Sequence, residues 1–449
     1  MKGWLILNAR LVNEGRVSEV DLRIRRGRIE HIGSGLTSRH AETIVDAGGR
    51  YLMPGMIDTQ VNFREPGLTR KGSIASESRA AVAGGITSYL DAPGTRPPTT
   101  SRMALADKFS RAAGRSAANY SFYLGASNDN LAEIQALQPG EACGIKVFMG
   151  AANGPLQFDS AESLEKVFAH APTLVAAHCE DKSIIQANLA AARSRHGGRI
   201  PAEEHTHIHS AEACMKATSQ ALDLARRHGT RLHLLHVSTA GEIDLLEPGD
   251  MMDKSISAEA SIHHLYFIDA DYEDLGHRLK CNPSIKSAAD RSALRKALRN
   301  DQLDMIATDH APHLAREKRG NYESVAAGLP LAQFALPAAW SLVAARSLSP
   351  EQLVEKIAHN PARRFQLAER GFVREGFWAD LVMIDPEQRT EVDRQPMLSE
   401  CAWTPFAGRK LPAKVSATWV NGQLVWRDGL LTGIMPGARL KQTPPQPPR

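Results

Sequence analysis

Five cysteines, Cys143, Cys179, Cys214, Cys281 and Cys401, are spread far apart, odd in number and without a Cys-x-x-Cys pair. A disulfide framework is thereby excluded and a reducing compartment expected. Apolar runs are short, none reaching the roughly 18 residues of a membrane span, so no membrane partner is expected. Met1-Lys2-Gly3-Trp4-Leu5-Ile6-Leu7 reaches Asn8 and Arg10 too soon for the core of a signal peptide. A cytoplasmic protein is the expectation. Neither sign of charge dominates: 54 Lys and Arg are scattered among 50 Asp and Glu, a net of +4. That excludes the electrostatic footprint of a nucleic-acid binder, but not a positively lined pocket for a small anionic substrate.

What is present is an ordinary globular composition, 43% hydrophobic and 23% charged over 449 residues, long enough for one large domain and a smaller one. Residues 4 to 50 read as short strands. Leu5-Ile6-Leu7 leads to a break at Asn8-Ala9, and Asp21-Leu22-Arg23-Ile24 leads to a turn at Arg26-Gly27. The chain from Gly371 to Gly429 repeats this style, with Asn421-Gly422 a strong hairpin turn because both positions tolerate positive φ. The middle alternates apolar strands, ending at Ile57, Leu90, Phe148, Ala177, Leu235 and Ala307, with amphipathic helices such as Ala161–His170, Ala211–His228 and Asp290–Arg299. That rhythm predicts an α/β fold, a (β/α)8 TIM-type barrel over 53–365. A small composite β-sandwich domain is expected from residues 1–52 and 366–432. The stretch 433–449, with four prolines after Thr443, reads as a disordered tail.

Ionisable residues gather at strand ends. His178 follows Leu174-Val175-Ala176-Ala177 and precedes Cys179-Glu180; His233 and His236 close another strand; Asp309, His310 and His313 follow Met305-Ile306-Ala307-Thr308. Lys146 lies inside Gly144-Ile145-Lys146-Val147-Phe148, where a charged ammonium is expensive to bury. A lone strand-end histidine is as often a hydrogen-bonded structural residue as a ligand. Imidazoles, a carboxylate and a buried lysine on successive strand ends are together the composition of a metal site.

Phe63-Arg64-Glu65-Pro66-Gly67, Gly144-Ile145-Lys146-Val147-Phe148-Met149-Gly150, His178-Cys179-Glu180, His236-Val237-Ser238-Thr239 and Ala307-Thr308-Asp309-His310-Ala311-Pro312-His313 resemble dihydroorotase, and more broadly the cyclic amidohydrolases that include hydantoinase and allantoinase. The resemblance spans nearly the whole chain. It implies that Lys146 is the lysine carbamylated to bridge two metals, and that His178 and His236 hold the second of these. Asp309 is then a ligand of the first and the general acid/base that shuttles a proton from metal-activated water to the leaving nitrogen. Arg64, Asn282 and His313 match groups that hold the carboxylate and ring amide of a small anionic cyclic amide. The resemblance also implies a homodimer.

Four positions depart from the family pattern. Gln60 and Asn62 stand where the family has His-x-His, the ligands of the first metal, and neutral amides are weak ligands for Zn2+. Asp91-Ala92-Pro93-Gly94-Thr95 replaces Met-Pro-Asn-Thr, so Gly94 lacks a side chain that contacts the substrate carboxylate. His209 stands where relatives carry Arg. The expectation is at most one Zn2+ per chain, on Lys146, His178, His236 and Asp309. Three functions follow: opening or closing dihydroorotate in pyrimidine biosynthesis, a catalytically silent subunit partnering aspartate carbamoyltransferase, or hydrolysis of another cyclic amide.

Overall fold

The computed structural model describes residues 3–150, 156–158 and 160–443. Eight parallel strands follow one another in chain order: Met56–Val61, Ile86–Asp91, Asn119–Gly125, Gly144–Met149, Val175–Cys179, Leu232–Leu234, Ile256–Ser261 and Met305–Ala307. A parallel bridge between Val61 and His310, with Asn62 N donating to His310 O at 2.7 Å, closes the sheet into a ring. The fold is therefore the (β/α)8 barrel that the alternation predicts. Closure also sets the ends of the first and last strands side by side.

The helices between the strands are started by short polar side chains. Ser73, Ser101, Ser160, Asp181, Ser210 and Ser287 each accept a backbone N–H from the third residue of the helix that follows. Each such cap is worth about 1 kcal/mol. Helices Lys182–His196 and Ala211–His228 both stop at a glycine in the left-handed region, Gly197 (φ 55°) and Gly229 (φ 66°). Ala161–His170 and Ala211–His228 have the predicted bounds, and the third predicted helix begins earlier, at Ala288.

Both ends of the chain build a nine-stranded sheet. In it, Leu381–Asp385 pairs on one side with Tyr51–Pro54, which leads into the barrel, and on the other with Lys414–Val420. Asn421 and Gly422 (φ 50° and 70°) turn Lys414–Val420 into Gln423–Arg427 as predicted. Asn8 does not end a strand. Gly3–Asn13 runs through it as a bulge, with Asn8 at φ 55° and its N–H given to Asp21 Oδ1 at 2.9 Å. Buried Asp380 ties this sheet to the barrel by accepting from Asn119 Nδ2 (3.0 Å), Asn421 N (2.7 Å) and Arg370.

The segment from 433 is not a disordered tail as far as Thr443. Gly437 N donates to Ser116 O, Leu440 N to Tyr120 O and Thr443 N to Gln366 O, and Leu440 is buried. These carbonyls at the barrel's edge supply the partners that its own composition does not announce. Residues 444–449 of the expected tail lie outside the described residues. Among the described residues no helix is long and apolar enough to cross a membrane.

Candidate active site

Ten of the positions singled out above, Gln60, Asn62, Arg64, Gly94, Lys146, His178, His236, Asn282, Asp309 and His313, line one cavity of about 680 Å³ at the C-terminal ends of the strands, and His209 does not. Arg64, His236 and Asp309 hold φ values of 66°, 39° and 49°, a region that side chains other than glycine enter at a cost of about 1–3 kcal/mol and that clusters at functional sites.

Where the first and last strands meet, Gln60 Nε2 donates to Asp309 Oδ1 at 2.7 Å, and Asn62 Nδ2 donates to the same oxygen at 3.3 Å. Asp309 fixes how both amides point: with either reversed, a carbonyl oxygen would face a carboxylate. Gln60 Oε1 is left buried without a partner, while Asp309 Oδ2 makes no hydrogen bond among the described residues. Burial pushes the Asp309 carboxyl above its ordinary range, against the pull of Lys146 and the Gln60 hydrogen bond. Neutral amides are weak ligands for a first metal, and here their N–H groups point at the carboxylate that would share it.

The second set does fit. His178 Nδ1 and His236 Nε2 face one another at 2.8 Å. On its far side His178 gives Nε2–H to Glu180 Oε2 at 3.0 Å, leaving Nδ1 as the lone-pair nitrogen. A carboxylate behind an imidazole is the usual way a ligating histidine is oriented. Two ligands in a tetrahedral zinc site, with Zn–N of about 2.0–2.1 Å, stand about 3.3 Å apart, so the rings need to part by only about half an ångström. Glu180 is itself held by His209 Nδ1 at 2.7 Å. Burial works to raise the Glu180 carboxyl, but His209 and His178 outweigh it and hold it well below its ordinary range.

Lys146 is 1% exposed, its Nζ lying 5.2 Å from the Phe148 ring centroid and 6.0 Å from that of Tyr123. Burial pushes its ammonium down, opposed by Asp309. A neutral amine in that place is the form that can take up carbon dioxide and become an anionic ligand.

The other end of the cavity is cationic. Arg64 donates to His313 Nε2 at 2.9 Å, and Lys71 Nζ stands 3.0 Å from His313 Nδ1. A neutral imidazole has one lone-pair nitrogen, so it cannot accept from both. Burial first, then Arg64 and Lys71, hold His313 well below the imidazole range. Arg96 adds a charge at the rim, and among the described residues Asp309 is the one carboxylate against Arg64, Lys71, Arg96 and Lys146 along the lining. A Cβ on Gly94 would meet nothing within 4 Å.

The sequence profile of the amidohydrolase family matches residues 51–425. The chain belongs to the amidohydrolase family. It is 32% identical to the dihydroorotase of Halobacterium salinarum, over 97% of this chain and 100% of that protein. It is also 32% identical to the dihydroorotase of Pelotomaculum thermopropionicum, over 93% and 96%. Among solved structures, the L-hydantoinase (dihydropyrimidinase) of Arthrobacter aurescens superposes with a TM-score of 0.91 at 25% identity, over 98% of this chain and 100% of that one. The dihydropyrimidinase of Brevibacillus agri shares the fold, with a TM-score of 0.87 at 23% identity over 97% and 98%.

Not every strand-end histidine of this amidohydrolase faces the cavity. His233 is satisfied inside the barrel by Ser257 Oγ (2.8 Å) and Glu259 Oε2 (3.0 Å). His310 pairs with Glu77 Oε2 at 2.8 Å and accepts the backbone N–H groups of Leu331 and Ala332 at Nδ1. Glu180 and Lys71 join the site without having been singled out by sequence. Glu180, two residues after His178 and so on the same side of the chain, carried a signal; Lys71, in a polar loop, carried none.

Proposed function

We propose that this amidohydrolase hydrolyses, and in reverse closes, the ring of a small anionic cyclic amide, with dihydroorotate the first candidate, using a single ion held by His178, His236 and a carbamylated Lys146. The carrying observation is the contrast between two halves of one site: paired imidazole nitrogens, the His178 ring backed by Glu180, on one side, and amide N–H donors filling Asp309 Oδ1 on the other. The names of the curated relatives and the cationic end of the cavity support the choice of substrate.

When bound, the ion supplies a Lewis acid that acidifies water and polarises the ring carbonyl. Arg64 offers a planar fork to the substrate carboxylate, with His313 beside it. Asn282, whose Oδ1 is buried without a partner, is placed to accept from the ring amide. Oδ1 of Asp309 is committed to two amides, so Oδ2 is the oxygen that takes a proton and passes it to the departing nitrogen. Its raised carboxyl suits that role, since proton transfer is most efficient when the catalytic group titrates near the working pH.

The test is turnover by the zinc-loaded full chain, followed as loss of dihydroorotate. The reading predicts hydrolysis that is abolished by Asp309→Asn and by His236→Ala. Zinc in the pocket without turnover would assign the protein another cyclic amide. The filling of Asp309 Oδ1 favours one rival, a silent subunit; an empty pocket, no turnover and co-purification with a transcarbamoylase would establish it.

A further inference from the structure

Outside the catalytic cavity, three buried donors converge on the segments that follow the seventh barrel strand. His263 and His264 lie on the short helix Ile262–Tyr266 that follows the seventh strand, and Cys281 precedes Asn282. One ligand atom from each lies within 4.8 Å of the other two, and all three residues are buried. None of them lines the catalytic cavity. Among the described residues this is the one set of three His, Cys, Asp or Glu donors so arranged.

The polar atoms here are short of partners. Both ring nitrogens of His263 lack a well-aligned hydrogen bond, with only the Thr308 backbone nearby, and Nδ1 of His264 is also without a well-aligned partner. Buried polar groups are nearly always paired, so nitrogens this poorly partnered in one place call for a missing group. Pro283 O accepts from His264 Nε2 at 3.1 Å. That bond places the proton on Nε2 and leaves Nδ1 as the lone pair, the way a backbone carbonyl orients a ligating imidazole. Cys281 Sγ donates to the same carbonyl at 3.3 Å.

We infer that His263, His264 and Cys281 form a second metal site, distinct from the catalytic one, for a thiophilic ion of the zinc class. Two imidazoles and a sulfur select zinc-like or copper-like ions over magnesium or calcium, which take oxygen ligands. The ion takes up the orphan lone pairs, and Cys281 binds as thiolate, releasing one proton to solvent. With no route into the cavity among its own residues, the ion acts in holding the Ile262–Tyr266 helix against the segment that carries Asn282.

Cobalt(II) serves as the probe, because its thiolate charge-transfer band in the near ultraviolet reports sulfur ligation and the catalytic set contains no sulfur. The full-length chain produced with cobalt is expected to show that band, to keep it in His178→Ala and to lose it in Cys281→Ser. Absence of the band, its survival in Cys281→Ser or its loss in His178→Ala overturns the assignment. Should Cys281→Ser fail to fold by circular dichroism, X-ray absorption of the zinc-loaded unsubstituted chain decides. A sulfur contribution at about 2.3 Å, one sulfur averaged over the two ions, is expected, and a shell of nitrogen and oxygen alone contradicts it.

Discussion

Gln60 and Asp309 are joined across the closing seam of the barrel, Nε2 giving its hydrogen to Oδ1 at 2.7 Å. A neutral donor thus stands beside the carboxylate where a cation's ligands would converge. Asn62 repeats the arrangement at 3.3 Å. The two departures from the family pattern therefore act as a set, because Asp309 turns both amides nitrogen-inward.

Removing the closer donor exposes its value. A hydrogen bond to a charged group contributes about 1.5–3 kcal/mol, so Gln60→Leu is expected to lower stability by about that much. Asn62→Leu, which breaks a longer bond at a half-buried position, costs less. Urea unfolding of both variants measures the difference, and a Gln60→Leu chain as stable as its parent contradicts the assignment.

The same geometry makes a repair experiment informative. Gln60→His and Asn62→His together place two imidazoles where the amides already reach Asp309, and are expected to add one ion per chain with a rise in dihydroorotate turnover. Either change alone should do little, since three ligands must converge before an ion is held. Metal content and turnover rate check this; a double variant that gains no ion shows that the seam cannot open to admit one.

Gly94 leaves open space in the cavity lining. Gly94→Asn is expected to fold normally and to tighten dihydroorotate binding, about 1.5–3 kcal/mol for one hydrogen bond to a charged group, or on the order of ten- to a hundredfold. Calorimetry on the two chains measures it, and unchanged affinity would mean the carboxylate lies elsewhere.

His313 gives stability a pH dependence of known sign. Burial, Arg64 and Lys71 keep it neutral when folded, whereas in the unfolded chain it takes up a proton near about pH 6.5. Below that pH the unfolded chain binds more protons, so the stability present above it is lost as pH falls. His313→Gln removes the titrating imidazole, so it should lose less stability than the parent between pH 7.5 and 5. Equal losses in the urea midpoint would show that His313 does not set this dependence.

Much of this site is legible in the sequence because its chemistry defies its surroundings. Lys146 shows itself as a cation between Ile145 and Val147, and Asp309 and His313 as ionisable groups after an apolar strand. What stays hidden depends on partners distant in the chain. Ile256–Ser261 is a barrel strand without strand-like composition, and Ser257 and Glu259 are polar because they face His233 inside the ring. Its pairing with neighbouring strands, not its propensity, makes it a strand. The first barrel strand runs four residues past Ile57 to Val61 because His310 bridges to it. Lys71 enters the anion site only because its loop folds over His313.

The most direct test of the one-ion reading is an anomalous-scattering map at the zinc edge from crystals grown with zinc, because it places each ion rather than counting it. The account predicts one peak in the cavity, between His178 Nδ1 and His236 Nε2, and none beside Gln60, Asn62 and Asp309. A second peak there, or a single ion ligated by those three residues in place of the histidine pair, would contradict it.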